Sequence, residues 1–495
     1  MGDSGPTYLG LDLSTQQLKA IVVDDQLKVL DEAYVQFDND LPEFRTYGGV
    51  INKKESASVA VAPCLMWVKA LDMLLDKLRV CGVDFARVQG ISGCAQQHGT
   101  VYWSKGSREL LRNLSPDKFL HQQLCNAFAT NYSPIWMDSS TSAECEILEQ
   151  TVGGPQNLAQ ITGSKAYERF SGPQIAKIWR TRPDAYANTE RISLISSFVA
   201  SLLVGDYAPI DYSDGSGMNL LDIRTKDWND QLLEASGPDL RGKLGETVPS
   251  YTNLASISSY YVERFGFSDQ YDPKTLPEGH VLCNPLDKDA YMTMLCFKNG
   301  SFTRERIRDS AAGGSWQIFN ELLDSTPRGN FGNIALYFDA PEIIPALVGD
   351  HRFNKADDKI SRYSSKEVEV RALIEGQFIA KRAYAEDFGF VIASNSRIIA
   401  TGGASANKTM LQVLADVFNA PVYTTEVANS AVLGAAYLAK YALHRDKNNF
   451  QEITKYIPEP QLLCTPYSDA ESIYKPMVAR YRRIVAQLLK QNASS

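Results

Sequence analysis

Apolar and polar positions along the chain alternate between two periods, one of strands and one of helices. Leu9, Leu11 and Leu13 alternate with Gly10 and Asp12, the period of a strand. The turn-capable run Ser14-Thr15-Gln16-Gln17 follows. Residues 19–23 resume a β-branched run, and residues 28–37 fit a third strand. Residues 38–55 are polar, hold Pro42 and Gly48-Gly49, and read as a loop. Leu65, Val68, Leu71, Leu75 and Leu78 recur at helical spacing and predict an amphipathic helix over residues 59–78, closed by Arg79 and Gly82. Residues 88–92 form a short apolar run. The polar knot Gln96-Gln97-His98-Gly99 separates it from Val101-Tyr102-Trp103. Ile135-Trp136-Met137-Asp138 runs into a serine-rich helix start, with Glu144 and Glu146 in the first turn. Residues 163–178 carry Arg169, Gly172, Gln174 and Lys177. Residues 189–203 predict an apolar helix broken by Gly205, and residues 210–219 a loop rich in hydrogen-bonding groups.

Residues 228–265 read as helical, and the Pro/Gly/Asp-rich stretch 266–279 as a domain boundary. A strand over 291–297 follows, then the turn Lys298-Asn299-Gly300, a charged helix over 303–310, and a helix over 315–323 with Trp316. The helix over 366–386 has Gly376 in its middle. A mid-helix glycine costs about 1 kcal/mol relative to alanine, so it marks close packing against another backbone. A strand over 397–401 ends in Gly402-Gly403-Ala404-Ser405-Ala406-Asn407-Lys408, and a helix over 409–419 follows. Strand, small-residue turn and helix place backbone amides and a helix N-terminus where a nucleotide would lie. A last helix over 428–443 has the small face Ala431, Gly434, Ala435 and Ala439.

A chain of 495 residues is too long for one core, so two or more domains are expected. The net charge of −8 argues against nucleic acid or an anionic membrane as the main partner. Eight cysteines occur without a CxxC pair or zinc-ligand spacing, as in reduced intracellular proteins. The start MGDSGPTY lacks the basic region and apolar core of a signal peptide, and Pro6 breaks the myristoylation pattern. The longest nearly apolar run, 192–204, is too short to span a bilayer. A cytoplasmic protein is expected, and nothing here speaks to oligomeric state.

The chemistry starts at the first turn. Asp12 is a carboxylate suited to a metal, directly or through water, and Ser14 and Thr15 offer hydroxyls and backbone donors to a phosphate. Taken alone, the same stretch fits an ordinary surface hairpin. The knot at 96–99 suits a polyol, and a plain turn histidine fits it equally.

Several segments together carry a resemblance. GLDLSTQQLKA (10–20), SGCAQQHGTVYW (92–103), ERFSGPQIAKI (168–178), IDYSDGSGMNLLDI (210–223), EVRALIEGQ (369–377) and ATGGASANKTMLQVLADVF (400–418) resemble, in order, segments of the FGGY carbohydrate kinases, and within them the eukaryotic xylulose kinases. The resemblance implies an α/β protein of two actin-like, ribonuclease-H-like domains around a central cleft: residues 1–265 for the sugar and 266–495 for the nucleotide. It implies ATP-dependent phosphorylation of D-xylulose to D-xylulose 5-phosphate with Mg²⁺, and small-molecule partners only. His98, Arg169 and Gln97 would bind the sugar. Trp316, Gly402, Gly403, Ala404, Asn407 and Thr15 would bind ATP, and Asp12 would hold the metal.

One part of the pattern is missing. The family carries a Gly-Asp-Asn motif, whose Asp takes the sugar hydroxyl's proton, and then a Gly-Thr-Ser phosphate turn. Here Asp269 is followed directly by Gln270, no Gly-Asp-Asn occurs anywhere, and no Gly-Thr-Ser occurs in this region. The catalytic base is therefore unassigned. The expectation is a second domain lacking its first strands, and impaired or absent turnover.

Overall fold

The computed structural model describes residues 5–52, 58–268, 272–276, 281–287, 291–390, 392, 396–425 and 429–493. The junction of Asp269 and Gln270, where the sequence points to a missing segment, lies outside them. The chain divides into two compact units: Met1–Met294 with Ala431–Ile457, and Leu295–Ser430 with Pro458–Ser495. The sequence suggested a single boundary near 266. The described residues between 266 and 294, and those of 431–457, group with the first unit.

In the first unit, β1 (Thr7–Leu13), β2 (Gln17–Val23) and β3 (Val29–Gln36) form an antiparallel meander. Val88–Ala95 pairs parallel with β1, and Asp272–Leu276 pairs parallel with Val88–Ala95, completing a five-stranded sheet. The β1 alternation does not separate inside from outside, because every residue of β1 is buried. Leu9, Leu11 and Leu13 share one core with the helix Cys64–Cys81. Tyr8 shares another with the helix Ser430–His444. Between β1 and that second helix there is room only for glycine: a Cβ on Gly10 would stand 2.2 Å from the Val432 carbonyl oxygen. The packing face of this helix is thus Val432, Ala436 and Ala439, which shares only Ala439 with the small face expected; Ala435 is buried as well. Ala431 is exposed, and a Cβ at Gly434 would meet nothing within 4 Å.

The helix Cys64–Cys81 starts five residues later than its pattern implied, because Ala60–Pro63 pairs as a strand with Tyr132–Pro134. It stops at Gly82, whose φ of +96° lets its amide turn back onto the Leu78 and Arg79 carbonyls. The predicted apolar helix over 189–203 is in fact a strand, Thr189–Leu194, followed by the helix Ile195–Val204. The strand pairs with Thr100–Ser104, placing Ile192 beside Tyr102. An apolar run buried on all sides has no polar face to reveal its period, so partner geometry decides it. The loop at 38–55 contains two helical turns, Phe37–Asp40 and Pro42–Phe44. The strand expected over 291–297 is shorter, Tyr291–Thr293, and pairs with Val281–Cys283.

In the second unit, among the described residues, the strands lie in two separate sheets of three. Ile334–Phe338, Gly349–Phe353 and Lys359–Ile360 form one; Ile398–Ala400, Val422–Thr424 and Gln461–Cys464 form the other. The helices Lys366–Asp387, Lys408–Phe418 and Ala470–Ala493 form one core with the first sheet, and Leu411 and Ala415 of Lys408–Phe418 form a second, smaller one with Val422 and Cys464 of the other. Gly376 has the close approach expected of it: a Cβ there would stand 2.1 Å from the Ala335 carbonyl oxygen. All eight cysteines are free thiols. Among the described residues no helix is long and apolar enough to cross a membrane.

Candidate functional site

Two strands of the first sheet deliver the polar residues to one edge. β1 and Val88–Ala95 run parallel with Leu13 beside Ala95, so both end on the same side. The Gln96 amide donates to the Leu13 carbonyl at 2.8 Å, which joins the hairpin turn to the knot at 96–99. Ligands of sheets with parallel strands gather beyond such carboxyl ends.

At the hairpin turn the Ser14 amide donates to the Gln17 carbonyl at 3.0 Å and closes the bend. Asp12 is buried, with the Ser14 hydroxyl donating to it at 2.8 Å. Burial pushes the Asp12 carboxyl above its ordinary value, while the Ser14 hydroxyl, Lys19 and Cys94 draw it back. A buried carboxylate of this kind is eased by a bound cation. Among the described residues no group of three or more His, Cys, Asp or Glu side chains is placed to hold a metal ion, and at this turn Asp12 is the carboxylate that could serve one, directly or through water. Trp136 Nε1 donates to Thr15 Oγ1 at 2.9 Å. Gly49 lies against the same residue, where a Cβ would stand 1.9 Å from the Thr15 carbonyl oxygen.

The knot holds His98 in a tight turn. Its φ is +64°, and the Gly99 amide donates to the Gln97 carbonyl at 2.8 Å across it. A γ-turn with positive φ is a strained arrangement of the kind found at binding sites. His98 Nδ1 lies 2.9 Å from the Gly217 carbonyl oxygen and its ring stacks on Phe170 at 4.5 Å. A carbonyl only accepts, so Nδ1 carries the proton of that bond. The Arg169 guanidinium lies over Tyr167 and Phe170 at 5.4 and 5.9 Å. His98 and Arg169, far apart in sequence, therefore share Phe170. Gln97 Nε2 contacts the Met294 sulfur at 3.8 Å. Behind them, the buried Asp138 carboxylate accepts from the Ala60 amide and from Gln174 Nε2 at 3.1 and 2.8 Å, and from Ser140.

Of the residues expected at the nucleotide, Thr15 lies in the first unit, and Trp316, Gly402, Gly403, Ala404 and Asn407 lie in the second. Trp316 opens the helix Trp316–Asp324, capped by Ser315. The indole is partly exposed, with the Arg308 guanidinium 4.8 Å from its ring. Gly402 has φ +79° and leads into a turn over Gly403–Ala406, with Gly403 and Ala404 exposed. Asn407 caps the helix Lys408–Phe418, its side chain accepting from the Met410 amide at 3.1 Å. Its Nδ2 donates to Asn320 Oδ1 at 2.9 Å, tying the turn to the helix of Trp316. Trp136, Gly49 and Asn320 were not apparent from sequence, since each owes its place to a contact distant along the chain.

The model of the FGGY family of carbohydrate kinases matches with its N-terminal domain over residues 7–271 and its C-terminal domain over 266–443. A xylulose kinase of Rattus norvegicus is 48% identical over 522 residues, covering 98% of this chain and 97% of that protein. Xylulose kinase 2 of Arabidopsis thaliana is 45% identical, covering 90% and 89%. Among solved structures, a ligand-bound xylulose kinase of Lactobacillus acidophilus superposes with a TM-score of 0.80 at 16% identity over 98% of each chain, which shows the two-domain sugar-kinase fold. The chain belongs to the FGGY family of carbohydrate kinases.

Proposed function

We propose that the chain binds D-xylulose on its first unit and ATP on its second, for phosphoryl transfer to the sugar, and that its turnover is impaired. The observation that carries the sugar reading is the meeting of His98 and Arg169 on Phe170, at the sheet edge that also bears Asp12. With Nδ1 donating to Gly217, His98 Nε2 carries the lone pair, which suits a sugar hydroxyl, and the Arg169 guanidinium carries N–H donors. The similarity to the rat and Arabidopsis xylulose kinases favours xylulose among sugars. Trp316 offers a flat face to adenine, and the turn at Gly402–Ala404 allows close approach. Mg²⁺, when bound with ATP, neutralises phosphate charge, and Asp12 would hold it.

Impairment follows from the absent Gly-Asp-Asn motif, because loss of a positioned base costs about 10²- to 10⁴-fold. The alignment with the rat enzyme is longer than this chain, so the chain carries gaps against it, which supports the reading. The test is paired. Calorimetry of the purified chain with D-xylulose should report binding that His98→Ala removes. ADP release with ATP and D-xylulose should be slower than for the rat enzyme by about 10²-fold or more. Absence of xylulose binding sinks the sugar reading; turnover equal to the rat enzyme's sinks the impairment.

A further inference from the structure

Three consecutive residues, Gly217, Met218 and Asn219, hold the sugar-side segments from behind. The Gly217 carbonyl fixes His98 Nδ1 at 2.9 Å. The Met218 carbonyl accepts the Gly172 amide at 2.8 Å, near the start of the helix Ser171–Thr181, and Ser171 Oγ in turn donates to the His98 carbonyl at 2.9 Å. Asn219 Nδ2 reaches Thr162 Oγ1, the Ser164 carbonyl and the Lys165 carbonyl at 3.2, 3.3 and 3.2 Å, and its Oδ1 accepts the Tyr167 amide at 3.4 Å. These contacts fix the loop that leads into Arg169.

Asn219 is wholly buried and has a φ of +59°. Asparagine tolerates that left-handed conformation, where most side chains are strained. Its amide is spent entirely on backbone and hydroxyl groups of the 162–167 loop, so it has no part in contacting a ligand. The loop bearing it is itself anchored: Asp211 accepts from the Ser213 and Asp214 amides at 3.0 and 3.2 Å and from Ser250, while Ser196 donates to Asp214. A close approach locks its seat as well, since a Cβ on Gly172 would stand 2.6 Å from the Met218 carbonyl oxygen.

We propose that Asn219 is a positioning residue for sugar binding, setting the Arg169 loop in register with His98 through one anchored segment. The inference rests on the reading of His98 and Arg169 as sugar ligands. Binding constellations must be held within about 0.5 Å to keep their affinity, and a misplacement of about 1 Å costs up to about 10²-fold.

Asn219→Asp tests it. The shape, the backbone preference and the acceptor for Tyr167 remain, but the donors are lost and an oxygen faces two carbonyls. Asn219→Gly is the companion, keeping the left-handed turn without any charge. In each, the dissociation constant for D-xylulose by calorimetry should rise about 10- to 100-fold, while ATP affinity stays within about twofold. Hydrogen exchange of the ligand-free chain should quicken at both 164–172 and 96–99. Unchanged xylulose affinity in either folded variant, or an equal loss for both ligands, overturns the proposal. If the parent chain binds no xylulose, the sugar reading fails; exchange then decides the coupling, and wild-type protection at 164–172 in the variants refutes it.

Discussion

Gly10→Ala puts a number on how β1 is seated. The added Cβ would stand 2.2 Å from the Val432 carbonyl oxygen and 2.7 Å from the Ala436 amide nitrogen, against 3.4 Å for ordinary contact. The helix Ser430–His444 must therefore retreat by more than about 1 Å. Both obstructing atoms are backbone and cannot rotate aside, so the cost belongs at the upper end of the about 1–3 kcal/mol typical of overpacking. The retreat also loosens Val432, Leu433, Ala436 and Ala439 from Tyr8, Ile21 and Val23. Gly434→Ala, on the same helix, is the control. A Cβ there meets nothing within 4 Å, and replacing a glycine in a helix gains about 0.5–1 kcal/mol. At about 2–4 °C per kcal/mol, thermal melts should show Gly10→Ala lower by about 6 °C or more and Gly434→Ala higher by about 2 °C. A Gly10→Ala protein melting within about 2 °C of the parent would refute the account of a helix pressed on β1.

Other outcomes follow from single sites. Trp316→Ala should weaken ATP binding about tenfold in calorimetry and leave D-xylulose affinity unchanged; a parallel loss of both would remove Trp316 from the nucleotide site. Burial, and then the neighbouring Asp211, push the Asp214 carboxyl well above the ordinary carboxylate range. The folded state then holds a proton that the unfolded chain releases above about pH 4, so this group's contribution falls as pH rises towards neutrality. In Asp214→Asn the decline of stability between pH 5 and 7 should be shallower, by up to about 1.4 kcal/mol per pH unit, and an unchanged slope in denaturant melts would count against a protonated Asp214.

The residues that sequence revealed and those it hid differ in a physical way. The hairpin at 7–23 was legible because its apolar period is 2 and its tip is polar, both local properties. Gly376 and the turn at Gly402–Asn407 were legible because glycine inside or beside a helix has few reasons to occur. The supports of the site were not legible. Trp136 meets Thr15 from 121 positions away, Asn407 meets Asn320 from 87, and Asn219 meets Ser164 from 55. No window of local pattern contains both members of such a pair. The Ser430–His444 helix makes the same point about faces: its small residues were visible, but only β1 decides that Val432 and Ala436, not Gly434, meet a neighbour.

The second unit offers the sharpest test of the proposed gap. Ile334–Phe338 is buried along its whole length, yet among the described residues it pairs only with Gly349–Phe353. Ile398–Ala400 likewise pairs only with Val422–Thr424 among the described residues, and the Ile399 side chain is exposed. Among the described residues the first unit places five strands in one sheet, whereas the second divides six between two. Unpaired strand edges leave backbone donors and acceptors unsatisfied and invite association. On the proposed reading, the missing segment would supply both the base and strands for such edges. Inserting the corresponding stretch of the rat xylulose kinase between Asp269 and Gln270 should therefore raise turnover by about 10²-fold or more and raise the melting temperature at the same time. A gain in turnover without a gain in stability would separate the base from the strands. No gain in either, in a chain that binds D-xylulose, would show that the junction at Asp269 and Gln270 is no defect.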